Sequence, residues 1–361
     1  MKTETIKLLT PSPDNARNSE GDFIRLNDGR ILFIYTRYDA GDGDDDAANL
    51  YGLVSDDDGE HFGEPFPVFS RADLQADNIM SVTLRRMDNG DVGLFFLVKR
   101  QPRQCRLYLA RSKDEGTGWS APKACIPHRG YFVVNNDRVV RLSDGRWIIP
   151  AAHIPVLTDD ETGKAYFDGP NSIVRFYVSD DDANTWRMAG CCRPGGGFQR
   201  TYTGLQEPGL IERKDGVLWA YFRTGEGRHY EAFSFDRGET WTDTQPSGFT
   251  GPDSPMSVKR LSDGRLFAVW NPVPIYNGRG RHVNNVWTGG RTPLVCAFSE
   301  DDGVTFSAPE VIDDDPGRGF SYTSVFETHS GILLAFCAGG ADCGGMLNTL
   351  RIIKVYEEDQ K

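Results

Sequence analysis

No CxxC pair occurs among the seven cysteines of this 361-residue chain, so neither a zinc ribbon nor a redox dithiol is written into it. Cys105, Cys125, Cys296, Cys337 and Cys343 stand singly and only Cys191 and Cys192 adjoin, an odd set that reads as free thiols in a reducing compartment. No apolar run approaches the roughly 20 residues that a membrane-spanning helix needs. The opening MKTETIKLLTPSPDN lacks the apolar centre of a signal peptide, and the cytoplasm is the expected location. Positive charge is also short, with 40 Lys and Arg against 52 Asp and Glu and a formal net charge of −12. That balance argues against nucleic acid or an anionic membrane surface as a partner. Long helical periodicity is missing as well, so a 39% hydrophobic chain has to bury its apolar residues by packing something other than helices.

What is present is repetition. Six hairpin turns between apolar strands read RLNDGRIL at 25–32, RMDNGDVGL at 86–94, RLSDGRWI at 141–148, ERKDGVLW at 212–219, RLSDGRLF at 260–267 and, in degenerate form, ETHSGILL at 327–334. Strand-like runs such as ILFIYTRY, VGLFFLVK and LFAVWNPV flank them. Small antiparallel sheets arranged radially protect their own edges. The spacing therefore predicts an all-β chain in which residues 1–361 form a single six-bladed β-propeller domain.

A second repeat, Ser-x-Asp-x-Gly-x-x-aromatic, reads SDDDGEHF at 55–62, SKDEGTGW at 112–119, SFDRGETW at 234–241 and SEDDGVTF at 299–306. A fifth copy, SDDDANTW at 179–186, has Ala183 in place of the glycine. These acidic turns read as structural. Ser and Asp can bond to nearby backbone, glycine supplies a positive φ, and the aromatic ring fills apolar space beneath. A calcium loop would need more ligands and a closing glutamate.

The segment LQEPGLIERKDGVLWAYFRT, 205–224, carries the sharpest candidates. With Lys214-Asp215-Gly216 as the turn, Arg213 pairs with Val217, and counting outward puts Glu207 opposite Arg223. An acid facing a base there is by itself a plain cross-strand ion pair. In unit three, NNDRVVRLSDG places Asp137 and Arg138 before the hairpin, either facing a central axis or capping a strand end. His153 ends the returning strand of the same unit. The Met-Ser-Val of DNIMSVTLRR and of GPDSPMSVKR reads as packing near the axis. Arg279 and Arg281 in NGRGRHVNN read as an exposed loop or a lid.

The five Ser-x-Asp turns have the form of Asp-boxes, and with six units the chain resembles the sialidase (neuraminidase) superfamily. QEPGLIERKDGVLWAYFR resembles the sialidase segment with a Glu before one hairpin and an active-site Arg on the returning strand, here Glu207 and Arg223. GGRTPLVCAFSEDDGVTF resembles the segment with a further active-site Arg, here Arg291. GFSYTSVFETHSGILLAF resembles the segment that holds the tyrosine nucleophile, here Tyr322. The resemblance implies a retaining glycoside hydrolase that removes a terminal acidic sugar from a glycan or glycoconjugate, with no cofactor and no metal. A neutral phenol deprotonated by an adjacent Glu can approach an anomeric carbon bearing a carboxylate, which would repel an anionic nucleophile. Sialidases are among the known exceptions to the two-carboxylate rule of glycosidases. Arginines suit the sugar acid group because their planar fork binds it bidentately.

One part of that pattern is altered, and another offers more than one candidate. The Arg-Ile-Pro-like stretch of the first unit is replaced by ARNSEGDFIRLNDGR. Strict counting lands on Ser19; Arg17, two residues earlier, is the nearest arginine, and Glu20 is an alternative substrate contact. The acid/base aspartate is expected in DAGDGDDDAANLYG, where Asp44 and Asp46 are the candidates. Two other classes of function stay open: a non-catalytic glycan- or protein-binding propeller, and a propeller polysaccharide lyase using Tyr322 and His153.

Overall fold

The computed structural model describes residues 1–101, 103–167, 172–195, 203–276 and 279–357. Among the described residues there is no α-helix, only two 3-10 turns at Ala72–Leu74 and Ala341–Cys343. The strands meander. Arg17–Arg25, Ile31–Ala40, Ala47–Ser55 and Phe66–Phe69 form one four-stranded sheet in chain order. Gln206–Glu212, Leu218–Arg223, Arg228–Ser234 and Gln245–Thr250 form a second, and Ser257–Arg260, Leu266–Trp270, Leu294–Ser299 and Glu310–Asp313 a third. In a fourth, Lys2–Leu9 from the start of the chain pairs with Leu350–Tyr356 near its end, beside Ile332–Cys337 and Ser321–Glu327.

Units two and three depart from separate small sheets and merge into one of nine strands. Tyr131–Val133 pairs antiparallel with Trp147–Ile154 and also makes a parallel bridge, Tyr131 to Cys105, to the neighbouring unit. The short Tyr131–Val133 segment thus stitches two units together by backbone hydrogen bonds.

The hairpin turns behave as glycine turns should. Gly29, Gly90, Gly145, Gly216 and Gly264 take φ of 82–95°, where a side chain would be strained, while Gly331 of the degenerate copy does not. In each Ser-x-Asp turn the Ser hydroxyl accepts from a backbone N–H and donates to the Asp. In the first, Gly59 N donates to Ser55 Oγ at 2.9 Å and His61 N to Asp57 Oδ1 at 2.9 Å. Ala183 takes φ 59° and keeps the same bond to Ser179 Oγ, at 3.0 Å.

The core is distributed between sheets. Strands buried on both faces supply apolar residues at alternate positions to neighbours on either side. Leu32 and Ile34 of unit one pack with Leu84 and Leu94 of unit two, and Phe176 of unit three with Leu218 and Phe222 of unit four. Phe267 and Val269 of unit five pack with Leu334 and Phe336 of unit six, whose Leu333 and Ala335 pack in turn with Phe23 and Phe33 of unit one. The result is an all-β, multi-sheet fold consistent with a β-propeller.

Candidate active site

The first strands of the units carry a shared irregularity. Their ladders skip between Ser19 and Asp22, Met80 and Thr83, Gln206 and Gly209, and Ser321 and Ser324. Within each skip lies one non-glycine residue with positive φ: Glu20 (46°), Ser81 (57°), Glu207 (44°) and Tyr322 (59°). All four stand nine residues before their hairpin glycine. A bulge of this kind adds a residue to one strand and re-aims its side chain. Left-handed backbone costs roughly 1–2 kcal/mol for such residues and persists only where surroundings enforce it. Asn136, nine before Gly145, supplies part of that enforcement: its Nδ2 donates to the carbonyls of Gly21 at 3.1 Å and Tyr322 at 3.0 Å. In unit five the ninth position is Pro255, which cannot take positive φ.

The four bulge residues converge on one cavity of about 300 Å³, which Asp44, Lys99, Arg223 and Arg291 also line. No residue of the five Ser-x-Asp turns lines it. The counting that set Glu207 against Arg223 is off by one, because the bulge leaves Gln206 as the backbone partner of Arg223. The side chains still meet: Arg223 Nη1 lies 2.7 Å from Glu207 Oε1. The bulge turns Glu207 to a second partner as well, and Tyr322 Oη donates to the same Oε1 at 3.0 Å. Burial, and then the Glu207 charge, push the Tyr322 phenol well above its ordinary range against the pull of Arg291 and Arg223. The phenol therefore rests in its neutral form.

Asp253 organises the two arginines. Its carboxylate accepts from Arg223 Nε at 2.6 Å, and its carbonyl accepts from Arg291 Nε and Nη2 at 3.1 and 2.9 Å. Arg291 Nη1 is buried with no hydrogen-bond partner among the described residues. The guanidinium of Arg291 faces the rings of Trp287 and Tyr322, with centroids at 5.1 and 5.6 Å. A buried unpaired donor is costly, so this edge is suited to receive an acid group.

The model of the BNR repeat-like domain family matches residues 42–334. The chain belongs to that family. It is a member of the sialidase-like BNR-repeat propeller superfamily. A sialidase from Bacteroides fragilis is 26% identical over 225 residues, 60% of this chain and 36% of that protein. An anhydrosialidase from Macrobdella decora is 25% identical over 62% of this chain and 28% of that protein. The chain thus matches about a third of the length of these relatives. Among solved structures, a Dyadobacter fermentans protein of unknown function superposes with TM-score 0.71 at 16% identity, covering 98% of this chain and 99% of that one. Trypanosoma rangeli sialidase in complex with sialic acid gives TM-score 0.71 at 14% identity, over 98% of this chain and 58% of that one. Likeness at such low identity speaks to the fold alone.

Within this BNR-repeat chain the other candidates divide. Glu20 lines the cavity, and its Oε2 accepts a hydrogen bond from Ser81 Oγ. Burial raises its carboxyl to about 7, although Arg17 opposes the shift. Asp44 lines the cavity with its side chain 61% exposed and 2.7 Å from Arg17 Nη1. Partial desolvation by the surrounding protein raises its pKa, but Arg17 and Lys99 outweigh that and hold it at about 2. Asp46 is not on the cavity; its carboxylate accepts from Gly43 N at 2.8 Å and closes its own loop.

Arg17 lies wholly buried behind Asp44 and Glu20 and does not line the cavity. Asp137 and Arg138 are likewise outside it. Asp137 pairs with Arg85 and Lys259, each at 2.6 Å, and Arg138 donates to Met256 O at 2.6 Å and Ser257 Oγ at 3.3 Å. His153 also faces away, because strand alternation gives the cavity Ala152 and Ile154. Its ring stacks on Phe132, and burial and then Arg175 push it down to about 4. Arg279 is tied to the segment bearing Arg291, donating to the carbonyls of Gly290, at 3.0 Å, and Thr292. Asn277 and Gly278 of the same stretch lie outside the described residues.

Ser81, Asn136, Asp253 and Lys99 were not singled out by sequence reasoning as site residues. The nine-residue offset from the turn glycine finds the first two. Asp253 and Lys99 carry no comparable local signal.

Proposed function

We propose that this chain is a glycoside hydrolase of sialidase type, built as a closed six-bladed propeller with Asp-box turns, which releases a terminal acidic sugar with retention of configuration. The observation that carries the reading is the buried Tyr322–Glu207 hydrogen bond beside two arginines. Closure as six blades is supported by the inter-sheet cores, the last of which returns to unit one. In this reading Tyr322 Oη attacks the anomeric carbon while Glu207 takes its proton. Arg223, already beside Glu207, offsets the charge of the carboxylate and of the developing phenolate. The unpaired edge of Arg291 receives the sugar acid group.

Asp44 protonates the leaving oxygen and then activates water. Held low by Arg17 and Lys99 it is ionised at neutral pH, and the incoming sugar carboxylate, a like charge beside it, raises its pKa so that it can carry the proton. The lyase alternative loses support because His153 does not share the cavity with Tyr322. The binding-module alternative makes no use of the Tyr322–Glu207 contact. Proton NMR of a fresh digest of an aryl α-sialoside tests the reading. Appearance of the α anomer first, followed by mutarotation, is expected; the β anomer first, or an unsaturated product, would refute it.

A further inference from the structure

Behind the cavity lies a third guanidinium, that of Arg17, which a substrate cannot reach as the residues stand. Arg17 Nη1 donates to Asp42 O at 3.0 Å and to Asp44 Oδ1 at 2.7 Å. Its Nη2 donates to Ser19 Oγ at 3.2 Å and lies 3.5 Å from Glu20 Oε1. The two Nη groups are thereby turned toward protein acceptors, three by hydrogen bonds and Glu20 as an ion pair, and the guanidinium carbon lies 4.6 Å from the centroid of the Tyr38 ring. Arg17 Nε and Arg291 Nη1 are both buried with no hydrogen-bond partner among the described residues, but Arg291 lines the cavity and Arg17 does not.

Resting on the proposed glycosidase reading, we propose that Arg17 is a positioning residue that holds Asp44 and Glu20, and that the acid group of the sugar is selected by Arg291 with Arg223 and not by Arg17. Displacing either carboxylate from Arg17 would leave a second negative charge facing the incoming one, which a substrate carboxylate has no energetic reason to do. Two carboxyls on one guanidinium, one held low and one raised by burial, are also arranged for different protonation states in one site. Other titratable groups face this cluster. Lys99 Nζ donates to Asp44 O at 2.5 Å and lies 3.4 Å from Asp45 Oδ1, while Glu207, Tyr322, Tyr38, Cys105 and Cys337 are within electrostatic range of Glu20.

The test compares binding of N-acetylneuraminic acid with binding of its C1 carboxamide, by calorimetry, in the wild type, Arg17→Met, Arg17→Lys and Arg291→Met. The preference for acid over amide is expected to survive within about twofold in both Arg17 variants and to fall at least about tenfold in Arg291→Met. The pH profile of hydrolysis of the 4-methylumbelliferyl α-glycoside should shift to higher pH in Arg17→Met by roughly 1–3 units, because both carboxyls lose a cation. Arg17→Lys keeps the charge and should shift less. Equal loss of acid preference in the Arg17 and Arg291 variants would overturn the proposal, as would an unshifted profile in Arg17→Met. If Arg17→Met does not fold, Arg17→Lys carries the binding comparison alone. Failure of the glycosidase reading is separately visible as wild-type protein that binds the acid but hydrolyses no glycoside.

Discussion

Replacing Asp137 by Asn separates a structural acid from a substrate-binding one. Asp137 Oδ1 accepts from Arg85 Nη2 and Lys259 Nζ, both at 2.6 Å, and its side chain is 3% exposed. The other carboxylate of the cluster, Asp22, accepts from Arg85 Nη1 and Leu84 N, each at 2.9 Å. Removing one partner of a fully buried pair costs about 3–5 kcal/mol. Here Lys259 is 32% and Arg85 20% exposed, so water can reach both cations, and Asp22 remains to pair with Arg85. The expected cost is therefore lower, about 2–3 kcal/mol, read as a drop in the urea midpoint at neutral pH with an unchanged m-value. Lys259 and Arg85 hold the Asp137 carboxyl below its ordinary range although burial opposes them. A depressed carboxyl stabilises above its unfolded-state pKa of about 4 and loses that contribution as pH falls through the folded value. The gap between wild type and variant should thus narrow in acid. A loss under about 0.5 kcal/mol, or a raised KM with unchanged stability, would refute the argument and return Asp137 to the site.

Glu207→Gln keeps size but cannot accept the phenolic proton. It should lower kcat by roughly 10²–10⁴-fold in protein that still folds, and Tyr322→Phe should match it. The double variant should be little worse than either; full additivity would show that the two share no step. Arg291→Lys keeps charge and loses the fork, and should cost about 2–4 kcal/mol in kcat/KM on an acidic glycoside, with unchanged kinetics counting against the assignment. Asp44→Asn should abolish most turnover of a glycoside with a poor leaving group, whereas Asp46→Asn should change it only a few-fold; the reverse order would place the proton transfer on Asp46.

Local chemistry was legible in the chain and register was not. Glycine at a hairpin turn and Ser-x-Asp at a Ser-x-Asp turn answer to neighbours a few residues away, so Gly29 or Ser55 can be assigned from sequence. A bulge is a property of two strands, and no single residue type marks it. Pair counting from Gly216 consequently misplaced Glu207 by one position, although the side chain found Arg223 regardless. Asp137 and Arg138 looked like site residues because they are polar and precede a hairpin. Whether such residues face the cavity or a neighbouring unit depends on contacts with residues as distant as Lys259 and Met256. The merging of units two and three through Tyr131 was hidden for the same reason, since a single parallel bridge leaves no periodicity. Arg17 was found two residues from its expected place, but its occupancy by Asp44 and Glu20 depends on a loop and a bulge that sequence does not position.

The central claim is that Tyr322, relieved of its proton by Glu207, forms the bond to the sugar. Incubation with a 2,3-difluorinated sialic acid tests it directly, because fluoride at C2 leaves readily and fluorine at C3 slows breakdown of the glycosyl-enzyme. Mass spectrometry of the digested protein should show one glycosyl adduct on the peptide containing Tyr322, and none in Tyr322→Phe. An adduct on Glu207 or on a loop aspartate, or continued turnover of an aryl sialoside with no adduct formed, would contradict the account.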